Sequence, residues 1–266
     1  MSHHESSLKA QFYLTAPQSC AYLEGREERK VFTTLSGPMA GRINNSLSQK
    51  GFRRSQSVIY RPACVGCSAC MSIRIPVWDF KPNRTQKRVL ARNAHLVRRP
   101  CEAWATETQF ALFRRYLNAR HADGGMADMD AYDYASMVDE TPVNSTVVEY
   151  AAEDPETGTS SLVAACLSDV LSDGLSMVYS FFEPSLANQS LGSFMILDHL
   201  DMAKAMGLDY VYLGYWVSGS RKMDYKIGYK PFEICDGNNW HRFSDRAEVR
   251  RWQVERFRFV QDSLGA

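Results

Sequence analysis

The alternation of hydrophobic and polar residues predicts a helix or a strand over most of the chain. Apolar residues recur every three or four positions between 104 and 121, where Phe110, Phe113 and Leu117 would share one helix face. Further helices are predicted over 43–50, 83–96, 128–138, 191–206 and 246–261. Period-two alternation and short apolar runs predict strands over 57–60, 71–77, 146–151, 162–171, 175–182, 210–217 and 232–235.

The order of elements in the second half predicts a mixed sheet that contains a parallel pair of strands. The turn Ser172-Asp173-Gly174 would join two antiparallel strands as a hairpin. The helix over 191–206 separates the strand over 175–182 from the strand over 210–217, and a crossover of this kind makes two strands parallel. It also leaves the helix N-terminus facing a cleft, which suits ligand binding.

The formal charge divides the chain into a basic part and an acidic part. Residues 31–99 hold thirteen Lys or Arg and one acidic residue, Asp79, so this segment carries +12. Residues 100–266 carry −11, and the whole-chain charge of +1 conceals the asymmetry. Pro100 lies where the sign changes. We predict a basic, cysteine-containing N-terminal domain over 1–100 and a second domain over 101–266.

The bulk composition excludes several protein classes. The 266 residues are 45% hydrophobic, which suffices for a sizeable core, but no apolar run reaches the roughly 20 residues of a membrane span. The first ten residues lack the apolar stretch of a secretory signal. Seven cysteines without an export signal argue against a disulfide framework. The sequence therefore predicts a cytoplasmic protein with no membrane partner.

Three cysteines lie close together in the basic segment. Cys64, Cys67 and Cys70 follow the spacing C-x-x-C-x-x-C, on a loop between two predicted strands, and Cys20 is available as a fourth ligand. Four thiolates suit structural zinc or an iron–sulfur cluster. A reduced loop without metal is the equally plain alternative, and the spacing does not decide between them.

Basic and aromatic residues of the same segment form a candidate polyanion site. Its members are Arg53, Arg54, Arg61, Tyr60 and the predicted basic helix with Arg84, Lys87, Arg88 and Arg92. A tyrosine among arginines can stack on an exposed RNA base, and such binding would weaken steeply with salt. The alternative is a solvated charged face, but +12 over 69 residues with one acidic residue favours binding.

Two loops of the second half carry candidate chemistry. The segment from Gln189 to Phe194 partly matches the Q-x-x-G-x-G loop that holds coenzyme A in acetyltransferases, although Phe194 replaces the last small residue. This favours an acetyltransferase-like fold and argues against that cofactor. Lys222 and Lys226 follow the crossover strand, where α/β ligand sites gather, although surface lysines are common. His121 ends a predicted helix, where it could equally be a charge partner.

Blocks of sequence spread over about residues 12 to 232 resemble one known family. The matching pieces are Phe12-Tyr13-Leu14, Cys20-Ala21-Tyr22-Leu23, Glu28-Arg29-Lys30-Val31-Phe32, Gly51 to Tyr60, Arg61-Pro62-Ala63-Cys64, Arg120 to Met126, Asp173 to Phe182, Tyr212 to Val217 and Lys222-Met223. Together they resemble the bacterial aminoacyl-tRNA–protein transferases, with a close match to the aspartate/glutamate leucyltransferases. Eukaryotic arginyltransferases are relatives of this group.

The resemblance implies an α+β protein, with a cysteine-containing N-terminal domain followed by an acetyltransferase-like (GNAT-type) mixed-sheet domain. It implies transfer of an amino acid, leucine in the close match, from tRNA to an N-terminal Asp or Glu, which marks the acceptor protein for degradation. No cofactor is required for the transfer. Two cysteines of the eukaryotic relatives have no counterpart here, at Leu23 and beside Cys67-Ser68, so the family's metal site does not carry over intact.

The expected chemistry needs orientation, oxyanion stabilisation and proton movement but no covalent nucleophile, because an aminoacyl ester is already activated. An acidic acceptor residue calls for a fixed cation, for which Arg53, Arg54 and Lys222 are candidates. Tyr179 and Tyr215 are candidate hydroxyl donors or proton relays. Three alternatives stay open at this point: arginyl transfer from Arg-tRNA, coenzyme A-dependent acetylation, and RNA binding without catalysis.

Overall fold

The structure is a computed structural model that describes residues 10–120, 126, 128–153 and 156–264, with the backbone alone for 256–264. The strands are β1 Tyr13–Leu14, β2 Gln18–Ser19, β3 Glu27–Glu28, β4 Lys30–Thr34, β5 Arg53–Ser55, β6 Val58–Pro62, β7 Cys70–Pro76, β8 Leu96–Glu102, β9 Ser145–Glu153, β10 Ser160–Val170, β11 Gly174–Phe182, β12 Tyr210–Val217, β13 Phe232–Cys235 and β14 Trp240–Phe243. The α-helices are α1 Ala40–Ser48, α2 Arg84–Arg92, α3 Glu107–Arg120, α4 Ala131–Asp139, α5 Leu191–Ala205 and α6 Arg246–Leu264. Short 3-10 helices occupy Gly37–Met39, Pro184–Gln189 and Arg221–Gly228.

A large mixed sheet forms the centre of the molecule, in the order β14-β13-β7-β12-β11-β10-β9-β8. The strands β11 and β12 are parallel, as the crossover through α5 predicts, whereas the other neighbouring pairs are antiparallel. The helix α5 covers one face of this sheet and α3 with α4 covers the other, each over its own apolar cluster. The prediction of a mixed α and β fold with a large mixed sheet is confirmed.

A smaller antiparallel sheet, in the order β1-β4-β6-β5, lies in the N-terminal part. Its own apolar cluster is small and consists of Leu35, Ala40, Phe52 and Ile59, with a few partly buried neighbours. A cluster of this size buries little apolar surface by itself. The small sheet therefore depends on its contacts with the large one, and these contacts also build the candidate site.

The boundary predicted at residue 100 does not separate two folding units. It falls inside β8, and β7 from the basic segment lies in the middle of the large sheet, between β13 and β12. All residues of β7 after the first are buried, although Ser72 and Arg74 interrupt its apolar residues, and nothing in this pattern marks the sheet that the strand joins. The sequence analysis does not predict β8, because Pro100 indicates a break between two domains, yet a proline is tolerated on an edge strand.

The charge asymmetry is partly cancelled inside the molecule. Several arginines of the basic segment form ion pairs with acids of the acidic part: Arg54 with Asp169, Arg74 with Glu233, Arg98 with Asp198, and Arg99 with Glu153. The sign change near residue 100 thus reflects, in part, how the two segments pair with each other. None of the helices in the described ranges is both long and apolar enough to cross a membrane.

Candidate active site in the gap between two parallel strands

The parallel strands β11 and β12 separate shortly after they begin. Their register joins Gly174 to Tyr210 and Ser176 to Tyr212, and no later pair is formed. The strand β12 continues along β7 with an irregularity between Tyr212 and Tyr215. A gap therefore opens toward the carboxyl ends of the two strands, where α/β proteins commonly bind ligands.

The side chain of Arg53, from β5 of the small sheet, occupies this gap. Its Nη2 donates a hydrogen bond to the carbonyl oxygen of Val178 on β11. On the β12 side, Gly214 has φ +71°, and a Cβ at this position would overlap the Arg53 guanidinium. A glycine is thus required both by the backbone conformation and by the arginine. Sequence reasoning missed Gly214, although it lies inside a block that matches the family.

Lys226 adds a second basic group beside the gap. It lies on the 3-10 helix that follows β12, is 4% exposed, and its Nζ donates to the Tyr215 carbonyl oxygen at 2.6 Å. Burial, and secondly the positive charge of Arg53, lower the pKa of Lys226 well below its usual range. Both effects weaken the hold of the Lys226 amine on its proton.

Tyr215 joins the two sheets and is not a free hydroxyl donor. Its hydroxyl donates toward the carbonyl oxygens of Tyr60, at 2.8 Å, and Gly51, at 3.2 Å, and the side chain is buried. Its ring lies 5.9 Å from the Tyr60 ring, over which Lys30 Nζ lies at 5.5 Å. Burial raises the pKa of Tyr215 well above its usual value, and its role as a hydroxyl donor or proton relay stays a prediction.

Tyr179 and Tyr215 do not share an environment. Tyr179 packs in the cluster beneath α3, with its ring 5.9 Å from the ring of Phe113. Burial raises its pKa, and the charge of Tyr116 adds to the effect. The two tyrosines occupy matching positions on neighbouring strands, but the strands have already separated there.

Arg54, the neighbour of Arg53, is a structural residue. It is 2% exposed, and its guanidinium makes two hydrogen bonds to the Asp169 carboxylate, at 2.6 and 2.7 Å. It also donates to the Gln56 carbonyl and to the Ser145 hydroxyl. The prediction that Arg54 binds substrate is corrected, since its donors are already engaged in the interior.

A cleft of roughly 380 Å³ adjoins the buried edge of the small sheet. Arg61 and Lys50 are the basic residues of its wall, with Tyr215, the cysteine loop and the turn at Gly237 around them. Arg61 donates to the Gly237 carbonyl at 3.0 Å, and its guanidinium lies 5.0 Å from the centre of the Phe52 ring. Arg61 is thus fixed in the wall of a cleft that can admit a small group.

The cysteine loop borders the same cleft, with Cys64, Cys67 and Cys70 in its wall. Burial raises the pKa of the Cys70 thiol to about 12, and the nearby thiols, Cys20 first among them, add to this shift. Over the described ranges, no group of three or more His, Cys, Asp or Glu side chains is arranged to hold a metal ion. The predicted zinc or iron–sulfur site is therefore not supported.

The remaining predicted residues lie at the periphery or outside the described ranges. Lys222 is exposed on the 3-10 helix Arg221–Gly228, four residues before Lys226. His121 lies outside the described residues. Phe194 is 7% exposed, with its ring 5.4 Å from that of Tyr150, so it points into the core and does not obstruct the loop before α5.

Tyr22 belongs to the site although sequence reasoning assigned it no role. Burial raises its pKa, and the charges of Tyr60, Arg53 and Cys70 act on it as well, so it lies close to the gap. The next residue, Leu23, lies within van der Waals distance of the position that a side chain at Gly219 would take. The signal was present in the matching block Cys20-Ala21-Tyr22-Leu23, in which the cysteine is the more conspicuous residue.

A gap at the carboxyl ends of parallel strands, with a fixed cation and a buried amine beside it, is typical of a ligand-binding enzyme site. Residues 18–88 match the family model described as arginine-tRNA-protein transferase, N terminus, and residues 108–236 match the model for its C terminus. The chain therefore belongs to the family of aminoacyl-tRNA–protein transferases.

Curated relatives are similar over most of their length. Proteins named aspartate/glutamate leucyltransferase are 56% identical in Cereibacter sphaeroides, over 93% of this chain and 88% of the relative, and 58% identical in Ruegeria sp., over 91% and 87%. The protein of that name from Paracoccus denitrificans is 56% identical over 90% and 87%. Among solved structures, FemX is 7% identical, with a TM-score of 0.46 over 68% of this chain and 63% of that chain.

Proposed function

We propose that this protein transfers leucine from leucyl-tRNA to the N-terminal α-amine of proteins that begin with Asp or Glu, and so creates a degradation signal. The relatives' name supports the reaction. The structural observation that carries the proposal is Arg53, a cation fixed in the strand gap without a carboxylate partner among the described residues. Since aminoacyl-tRNA is cytoplasmic, the proposal places the protein in the cytoplasm.

The reaction needs no cofactor, because the aminoacyl ester already carries the free energy of transfer. The neutral acceptor amine attacks the ester carbonyl carbon; a C–N bond forms, the C–O bond to the ribose breaks, and a proton passes from nitrogen to the ribose oxygen. The α-amine has a pKa of about 7.7–8.0 and is partly neutral at physiological pH. The protein must therefore orient the two substrates and help the proton to move.

We assign recognition of the acidic acceptor side chain to Arg53. One nitrogen of its guanidinium is held by the Val178 carbonyl, and the half-buried group keeps further donors for a carboxylate. Lys226 is the group assigned to the proton relay, because burial favours its neutral form. Arg61 and Tyr60 are assigned to the RNA end, Tyr60 as a stacking surface for a base. Lys222, exposed nearby, stays a second candidate for the carboxylate.

Arginyl transfer is the second candidate, favoured by the description of the two family models. The charges near the gap argue for leucine. An arginine side chain there would lie close to the cation of Arg53, while Glu28, a carboxylate near Tyr22, is already paired with Lys30 at 2.8 Å. Tyrosine side chains, which include Tyr22 and Tyr215, offer a neutral leucine apolar contact without repulsion.

The test is a transfer assay that varies donor and acceptor together. Purified protein receives leucyl-tRNA or arginyl-tRNA with peptides that begin with Asp, Glu or Lys. We expect leucine to be added to the Asp and Glu peptides and not to the Lys peptide. Transfer of arginine alone would establish the second candidate, and transfer of neither residue would overturn the proposed reaction.

A further inference from the structure

The helix α2 presents an exposed face on which every charged residue is basic. Arg84, Lys87, Arg88 and Arg92 are all exposed, and the nine residues of the helix include no acidic side chain. None of these four residues forms an ion pair with any described residue, and Arg92 donates instead to the Asn188 carbonyl. The opposite face holds Val89 in the main core, so the orientation of the helix is fixed.

This face does not help the helix to form. Arg84 and Arg88, and likewise Arg88 and Arg92, are like charges four residues apart, which repel one another along a helix. Arg84 also lies in the first turn, where the helix dipole disfavours a cation. The helix is instead stabilised by its capping box, in which Asn83 and Gln86 bond each other's backbone N–H groups. Since these charges do not stabilise the helix, they indicate a role in binding another molecule.

Other basic residues of residues 31–99 have found partners inside the protein. Arg54, Arg74, Arg98 and Arg99 all pair with carboxylates of the acidic part. Because each of these arginines is paired with a carboxylate, it contributes little to the attraction of an external polyanion. The four basic residues of α2 have no such partner among the described residues, and they keep their positive charge together on one exposed helix.

The helix lies beside the mouth of the strand gap. Gln86 Nε2 donates to the Gly228 carbonyl at 3.2 Å, at the end of the segment that follows β12. Asn93 Nδ2, at the other end of the helix, donates to the Gln189 carbonyl at 2.9 Å, in the segment that follows β11. The helix α2 therefore contacts both segments that leave the two parallel strands at their open end.

We propose that the basic face of α2 is the docking surface for the phosphates of the tRNA acceptor stem, while the single-stranded 3′ end enters the gap with its aminoacyl ester. This inference rests on the proposed function. A-form RNA stems are recognised mainly through their backbone and shape, for which a rigid row of Arg and Lys side chains is suited. The same face would fit an acidic protein surface, and separate measurements of tRNA and acceptor binding distinguish the two.

The test compares two double variants of the full-length protein. In Arg84→Gln/Arg88→Gln, we expect the KM for leucyl-tRNA to rise about tenfold at low salt, with the KM for a short Asp peptide unchanged. The slope of log affinity for uncharged tRNA against log salt should fall by about 0.9 for each phosphate that the variant no longer neutralises. The melting temperature should stay the same or rise, because two repulsive pairs are weakened.

The control is Arg250→Gln/Arg251→Gln, which removes two exposed arginines of α6. It should leave the tRNA KM and the salt slope unchanged. Equal effects of both double variants, or no effect of the α2 variant on tRNA, would overturn the docking surface. A raised KM for a folded acidic acceptor protein, with an unchanged tRNA KM, would assign α2 to the acceptor instead. Absence of transfer by the unmodified protein, with salt-dependent tRNA binding through α2 retained, would overturn the reaction alone.

Discussion

The two ends of the β11–β12 pair differ in the partners of the arginine that lies beside each end. At the closed end, Arg74 is held by Glu233 at 2.8 Å and stacked on the Tyr210 ring, with its guanidinium carbon 3.5 Å from the ring centre. At the open end, Arg53 has a backbone carbonyl as its partner and no carboxylate within the described residues. The donors of Arg74 are engaged within the protein, whereas the half-buried Arg53 keeps donors that a ligand carboxylate can use.

The cause of this difference is the length of the pairing between the two strands. Where residues 174–176 pair with 210–212, the two strands leave no gap between them. Polar side chains around this part of the sheet hold Arg74 in place. Beyond that point the strands are apart, and the side chain that fills the space comes from the small sheet. The small sheet therefore contributes Arg53 to the candidate active site.

The largest expected effect is the loss of the buried pair that holds the small sheet. Arg54→Met leaves Asp169 buried without its partner, which typically costs about 3–5 kcal/mol in the free energy of unfolding. Urea titration followed by circular dichroism measures the change. The double variant Arg54→Met/Asp169→Leu removes both charges and should recover much of the loss. An Arg54→Met protein as stable as the unmodified one would show that Arg54 is not a structural residue.

The second prediction concerns His199, a buried histidine that should make the stability of the protein depend on pH. It is fully buried, its Nε2 lies 2.8 Å from the Ser168 hydroxyl, and burial lowers its pKa to about 4 from 6.5. Between pH 4 and pH 6.5 the histidine is neutral in the folded protein and protonated in the unfolded chain, so unfolding takes up a proton. The free energy of unfolding is therefore highest above pH 6.5 and falls by about 3 kcal/mol as the pH drops to 4.

Urea midpoints measured from pH 7.5 to pH 4 check this dependence, with His199→Gln as the comparison. The variant should lack the histidine contribution and show a shallower decline over the same range. Parallel curves for the two proteins would mean that His199 titrates normally in the folded state.

Arg53→Gln tests the open end directly. We expect kcat/KM for Asp and Glu peptides to fall about 100-fold, close to 2.7 kcal/mol in transition-state free energy, because the acceptor carboxylate loses its cation. Binding of uncharged tRNA should be unchanged, since α2 is untouched. Steady-state transfer kinetics and filter binding measure the two quantities. Equal losses for Asp and Lys peptides would indicate a structural rather than a recognition role.

Gly214→Ala should disturb the same end from the opposite strand. The methyl group would overlap the Arg53 guanidinium, and φ +71° strains a residue with a side chain, so we expect a loss of about 1–2 kcal/mol in stability. Thermal or urea unfolding gives the value. The double variant Arg53→Ser/Gly214→Ala should cost less than the sum of the single variants, because the overlap is removed. If the losses in stability of the two single variants simply add in the double variant, Arg53 and Gly214 are not in contact.

The smallest expected effect concerns Lys222, the exposed alternative to Arg53. Lys222→Met should weaken the use of Asp and Glu acceptors by no more than about tenfold, since an exposed charge is screened by solvent. The KM for each peptide, measured beside that for tRNA, checks this. A loss larger than that of Arg53→Gln would transfer carboxylate recognition to Lys222.

The sequence by itself determined most of the longer helices and strands, the parallel crossover through α5 and the family. These follow from short-range patterns: the three- and four-residue spacing of α3, the hairpin turn before Gly174, the cap at Asn83. Charge counting was less informative, because it could not tell which arginines would meet a carboxylate distant in the chain.

Tertiary structure alone decided the different roles of Arg53 and Arg54. Successive residues of a strand point to opposite faces, so the sequence determines only that these two side chains diverge. Which face meets Asp169 and which meets the strand gap depends on how the small sheet packs against the large one. The same holds for β7, whose sequence would suit many buried strands and whose place between β12 and β13 is set by long-range pairing.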